Sequence, residues 1–80
     1  MSKEYYKKKI IDLRAKLDKE KEAKKRDNEK YADSIKRAST TERKAYFRKE
    51  KVARAAAHDR QIESIKRDIE RAKESLKREK

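Results

Sequence analysis

Across 80 residues the chain contains no glycine and no proline. Ordinary usage of about 7% Gly and 5% Pro would supply roughly nine or ten such residues. Proline breaks helices by removing an N–H and clashing with the preceding turn, and glycine favours turns and positive φ. A chain without either has almost no local means of stopping a helix, so the sequence predicts an all-α fold that is helical nearly end to end. The same feature restricts function. Catalytic and binding residues sit disproportionately on loops held by a scaffold, and no glycine-rich phosphate loop can be built here.

Only 32% of the residues are hydrophobic and 55% are charged, so a globular core of the usual kind cannot be enclosed. That composition belongs either to long helices and coiled coils or to disordered chains, and periodicity separates the two. In the first half Tyr6, Ile10, Leu13 and Leu17 are spaced 4, 3 and 4, the a/d seam of a heptad, and Tyr31 and Ala38 continue its phase. Glu20, Lys24, Asp27 and Ser34 take seam positions between them, which predicts a weakly held middle, splayed or register-tolerant. In the second half Ile62, Ile65, Ile69, Ala72 and Leu76 are spaced 3, 4, 3 and 4, a cleaner seam. Backward extension of that phase lands on His58, Ala55, Lys51 and Arg48, whereas Ala45, Val52 and Ala55 fit a seam offset by a small slip.

Between the halves lies Ala38-Ser39-Thr40-Thr41-Glu42, the only cluster of small hydroxylated residues. Ser39 and Glu42 have the S-x-x-E spacing of a capping box. The expectation is a break near residues 39–42, with helix 1 over about 3–38 and helix 2 over about 41–79; the alternative is one continuous helix of about 120 Å at ~1.5 Å per residue. Apolar positions mirror each other around residue 40, as two antiparallel helices in contact require. Leu17 falls level with Ile62, Leu13 with Ile65 or Ile69, Ile10 with Ile69, and Tyr6 with Ala72 or Leu76, while Tyr31 and Ile35 meet residues 46–48. The reading is therefore one domain over residues 1–80, a long two-helix antiparallel coiled-coil hairpin. Its seam comprises Tyr6, Ile10, Leu13, Leu17, Tyr31, Ile35, Val52, Ile62, Ile65, Ile69, Ala72 and Leu76. Tyr5, Ile11, Phe47 and the Ala53 to Ala57 run fall off that seam as a second apolar stripe, which predicts assembly into a dimer or four-helix bundle. Intrahelical pairs at i,i+4 with the acid first, among them Glu20 with Lys24, Glu22 with Arg26, Glu63 with Arg67 and Glu74 with Arg78, add about 0.2 to 0.5 kcal/mol each.

Little chemistry is available. His58 is the single histidine and there is no cysteine, so neither a two-His metal site nor a Ser-His-Asp arrangement can form within one chain. His58 reads as a surface or seam-edge residue whose neighbour Asp59 points to another side of the helix. The carboxylates read as solvated and compensated by nearby Lys and Arg. No catalytic residue, cofactor or metal ligand is assigned, and the chain reads as a non-enzyme. No apolar run approaches the ~20 residues needed to span a bilayer, and the start of the chain lacks the apolar stretch of a signal peptide. These features read as a cytoplasmic protein without membrane insertion. Lys80 falls in an uncapped run, which suits a chain continuing into another domain.

Charge carries the remaining signal. The formal net charge is +12, with 28 Lys and Arg against 16 Asp and Glu, and the two halves are equally positive. Between Ser34 and Arg54, however, Lys36, Arg37, Arg43, Lys44, Arg48, Lys49, Lys51 and Arg54 face only Glu42 and Glu50. These eight are the candidate anion-binding residues, and the Tyr46-Phe47-Arg48 group among them could stack on bases while the cations hold phosphates. Self-association, another protein or downstream domain, and nucleic acid are thus the partners that the sequence suggests.

The run IIDLRAKLDKEKEAKKRDNEKYADSIKRAS, the segment TT followed by AYFRKEKVARAAA, and the run IESIKRDIERAKESLKREK resemble the N-terminal coiled-coil segments that precede the TIR domain in bacterial TIR proteins of antiphage defence. Those segments have two lysine-rich heptad arms joined by a Ser/Thr/Ala-rich stretch. The resemblance implies a bacterial oligomerisation module whose coil brings TIR domains together; no TIR domain lies in these 80 residues, so NAD cleavage does not carry over. Separately, Tyr46-x-x-x-Glu50 matches the Y-x-x-x-D/E signal of small helical-hairpin proteins of type VII secretion, which the chain resembles without their Trp-x-Gly turn.

Overall fold

The structure, a computed structural model that describes residues 3–79, consists of two long helices joined by three residues. Helix α1 spans Lys3–Arg37 and helix α2 spans Thr41–Arg78. The molecule measures 62 × 14 × 11 Å, half the length that one continuous helix would have, so the chain doubles back as a hairpin. Both helices are runs of strong helix formers with no internal breaker. The reading of Lys80 as an uncapped end lies outside the described residues.

The turn is made by a single hydroxyl. Thr40 adopts an extended backbone, φ −122° and ψ 154°, and its side chain accepts the Arg43 N–H at 3.1 Å. Its carbonyl accepts the Lys44 N–H at 3.0 Å. The expected capping box of Ser39 with Glu42 is therefore corrected. The cap lies one residue later, which puts Arg43 at the position where a capping box needs an acid; Glu42 instead sits in the first turn, where a negative charge favours the helix dipole. At the end of α1 the Ala38 N–H is shared between the Ser34 and Ile35 carbonyls at 3.0 and 3.4 Å, and Lys36 and Arg37 occupy the last turn. At the end of α2 the Glu79 N–H reaches the Ser75 and Leu76 carbonyls, both at 3.2 Å.

The core is short and lopsided. Its buried residues are Ile10 from α1 and Ile62, Ile65, Ile69 and Ala72 from α2. Tyr6, Leu13, Leu17, Tyr31, Ile35 and Leu76 are half-buried beside or beyond them. Tyr6 and Leu13 share one surface depression with Asp68, Ala72 and Ser75, and near the turn Ser34 and Ala38 share another with Arg43 and Phe47. The helices are thus antiparallel along their whole length.

Val52 does not belong to the seam. It is 70% exposed, and Ala45 is exposed as well. The phase of Ile62 continues through His58, Ala55 and Lys51, all half-buried, and then slips by one residue, onto Phe47 and Lys44 in place of the exposed Arg48; it does not pass through Val52. A lysine can occupy such a position because its aliphatic stem covers apolar surface while the ammonium stays in water. Val52, one residue beyond Lys51, is rotated ~100° away from the seam. Phe47, assigned by sequence to the outer stripe, is accordingly part of the inner face. Of the stripe, Tyr5 and Ile11 are exposed near the open end, while in the alanine run Ala53 and Ala56 are exposed and Ala55 and Ala57 half-buried; Tyr46 and Val52, toward the turn, are the other exposed large apolar side chains.

Candidate functional site

Halfway along the hairpin the seam changes from apolar to ionic. Three polar side chains of α1, Glu20, Lys24 and Asp27, lie on the inner phase at successive turns, because their spacings of 4 and 3 are those of the heptad. Opposite them α2 presents His58, also on the inner phase, and Asp59 beside it. His58 Nδ1 lies 2.7 Å from Glu20 Oε1 and Nε2 lies 2.6 Å from Asp27 Oδ2. The Lys24 ammonium donates to Asp59 Oδ1 at 2.6 Å. The His58 side chain is only 16% exposed, and its two partners 26% and 32%.

These distances suit the doubly protonated ring. An ionised carboxylate only accepts hydrogen bonds, so an imidazole with a carboxylate oxygen on each nitrogen satisfies both by donating from both, as the imidazolium. Contacts of 2.6 and 2.7 Å have the length of charge-assisted bonds. The hydrogen bond to Asp27, then that to Glu20, raises the His58 pKa above its ordinary 6.5 against the opposing effect of partial desolvation. Reciprocally, the bond to His58 lowers the Asp27 carboxyl below its ordinary 3.8, helped by the charges of His58, Arg54 and Lys30. Because the two imidazole nitrogens point to different turns of α1, the group is a bridge and does not converge on one point. Among the described residues no set of three or more His, Cys, Asp or Glu side chains is placed to hold a metal ion.

The sequence reading of Glu20, Lys24 and Asp27 as a splayed stretch is corrected by this layer. Glu20 and Lys24 each reach across the hairpin, and the carboxylates of Glu20 and Asp27 are seam groups with a partner. Seam-edge describes His58 well, yet its two bonds were missed. The signal was present: Glu20 and Asp27 are one heptad apart on one seam, and His58 falls on the extrapolated phase of the other.

The second feature is the basic region at the turn. Lys36, Arg37, Arg43, Arg48, Lys49 and Arg54 are exposed and Lys44 and Lys51 half-buried. Among these eight, within the described residues, only Arg37 holds an ion pair, 3.2 Å from Asp33. The open half differs: Lys7, Lys66, Arg71 and Lys73 each lie within 3.8 Å of an acid one turn away on the same helix. Tyr46 is 60% exposed and rests edge-on against Phe47, with ring centroids 5.4 Å apart and planes at 71°. The eight cations do not converge on one pocket; they are spread around the turn and the adjoining third of α2.

Compared with models of protein families, with curated proteins and with solved structures, the chain matches none. What it does therefore rests on its own residues. Neither helix is long and apolar enough to cross a membrane, and the depressions on the surface are shallow, two of them lined mainly by charged side chains and two by a mixture of charged, small and aromatic or aliphatic ones.

Proposed function

We propose that this chain is a non-catalytic coiled-coil module whose role is to bring copies of itself, and whatever it is attached to, together. The observation that carries this reading is the small core: five buried side chains, one of them alanine, serve two helices of 35 and 38 residues. Below about 70 to 80 residues a single core rarely suffices without a staple, a metal or a partner, and this chain has no disulfide. Tyr5, Ile11, Tyr46 and Val52, between 44% and 70% exposed, are the apolar side chains that a neighbouring copy would cover. A bacterial defence or signalling effector such as a TIR protein is the context that the resemblance of the sequence to TIR-associated coiled-coil segments suggests. Size-exclusion chromatography with light scattering tests the reading. Self-association is expected to appear by roughly millimolar concentration, where about 4 kcal/mol is enough; a monomer throughout would refute it.

A second reading, contact with nucleic acid or another anionic partner, is favoured by the unpaired cations at the turn beside the exposed Tyr46. On this reading affinity for DNA falls steeply with salt, in proportion to the phosphates neutralised. Replacing Arg43, Lys44, Arg48 and Lys49 by glutamine abolishes it. Absence of binding at ~50 mM salt, or binding unchanged in the quadruple variant, rejects it.

A further inference from the structure

We propose that the Glu20–His58–Asp27 bridge is a pH-operated latch on the middle of the hairpin, closed while the imidazole carries both protons and released when it loses one. The proposal is independent of self-association, because both sides of the latch belong to one chain. Its basis is geometric. The imidazolium donates in opposite directions to two carboxylates 2.7 and 2.6 Å away that lie on successive heptads of α1. A neutral imidazole keeps one N–H, so one nitrogen lone pair then faces a carboxylate oxygen at that distance. Two electron pairs repel at that distance, so that contact is lost: the carboxylate or the ring turns away, or the helices separate locally.

The surroundings offer no substitute proton donor aimed at the ring. From α1 the ionisable groups around it are Glu20, Asp27 and Lys24, the last with its ammonium on Asp59, and Lys30 near Asp27. From α2 they are Asp59, bound to Lys24, and Arg54, which acts on Asp27. Apolar help is also scarce here, since the buried residues lie toward the open end. The bridge and the Lys24–Asp59 pair are therefore the cross-helix bonds of the middle third, and the titration of one ring changes two of the three.

The sign follows from the raised folded-state pKa. The stabilisation is fully present below the unfolded value of about 6.5 and is lost as pH rises through the higher value in the folded chain. The window begins near neutrality, where histidine is suited to act as a switch.

His58 is the single histidine, so its Cε1–H resonance can be followed by NMR on the whole chain from pH 5 to 9 without assignment. The expected midpoint lies above 6.5, and Glu20→Gln and Asp27→Asn each lower it. At fixed protein concentration the melting temperature is expected to hold steady up to about pH 6.5 and then fall by about 4 to 8 °C, the response of a domain this size to loss of one modest interaction. His58→Gln is expected to remove that decline. A His58 midpoint at or below 6.5, or parallel pH dependence in the wild type and His58→Gln, overturns the latch. The NMR titration of the wild type and the two carboxylate variants decides the matter even if His58→Gln does not fold.

Discussion

Replacement of Ile65 and Ile69 together by alanine tests the seam and its phase at once. Ile65 is 3% and Ile69 6% exposed, with Ile62 and Ala72 on either side, so neither void opens to water. Truncating a buried Ile to Ala costs about 2 to 5 kcal/mol, the lower values where neighbours can settle into the space. Two helices without a third layer can settle more readily than a globular core, yet even the lower limit gives about 4 kcal/mol for the pair. A chain of this length has a net stability of roughly 4 to 12 kcal/mol. The double variant is therefore expected to lose most of its cooperative unfolding transition by circular dichroism at 25 °C. Val52→Ala is the matched control. At 70% exposure it removes no packing, and alanine is the better helix former by a few tenths of a kcal/mol, so its midpoint is expected unchanged or slightly raised. A Val52→Ala variant as damaged as the double variant, or a double variant with an unshifted transition, would refute a seam that runs through Lys51 and the isoleucines and leaves Val52 outside.

Three further outcomes are expected. Thr40→Ala should cost about 1 kcal/mol in urea melts, as the loss of an N-cap does, while Ser39→Ala should stay within about 0.5 kcal/mol; the reverse order would move the cap back to Ser39. Asp59→Asn, which breaks the pair with Lys24 at a site 56% exposed, should cost about 0.2 to 1 kcal/mol at low salt and nothing measurable in ~1 M salt; a loss that persists in salt would contradict a solvent-screened pair. On the acid side Asp27, whose carboxyl is held below 3.8, contributes stability that is present above its unfolded value and lost as pH falls through the lower folded one. Asp27→Asn should remove that acid limb in melts from pH 2 to 5, and an unaltered limb would assign it to other carboxylates.

The architecture was largely legible because it depends on short-range rules. An uninterrupted supply of helix formers fixed the helices, a cluster of hydroxyl residues marked the joint, and the Ile62, Ile65, Ile69 and Ala72 spacing identified the side that is buried. Sequence placed the cap one residue early because Ser39 and Thr40 are both competent, and the choice depends on the backbone at the turn. Val52 was misplaced for a related reason: hydrophobicity favoured valine over Lys51, but the phase is set by the isoleucines and a lysine stem can follow it. The ionic layer was hardest to see. Glu20, Lys24 and Asp27 read as interruptions of one helix, and only with α2 laid against α1 do they become partners of His58 and Asp59.

The distribution of the core has a kinetic consequence. The buried residues lie at the end of the hairpin farthest from the turn, so the contacts that hold most of the energy join the segments most distant in sequence. Closing the chain at the turn gains few apolar contacts, and reaching the ionic layer means bridging 31 to 38 residues. Going on to Ile10 and Ile69 extends the closed loop by less than a factor of two, for which the added closure entropy is under about 0.6 kcal/mol. The helices therefore meet with little to hold them until the isoleucines engage, and the transition state must already have brought both ends together. Once formed, the rod loosens from its turn. Hydrogen exchange is expected to be fastest around residues 36–48 and slowest around Ile10 and Ile65, the inverse of a hairpin whose chain ends fray first.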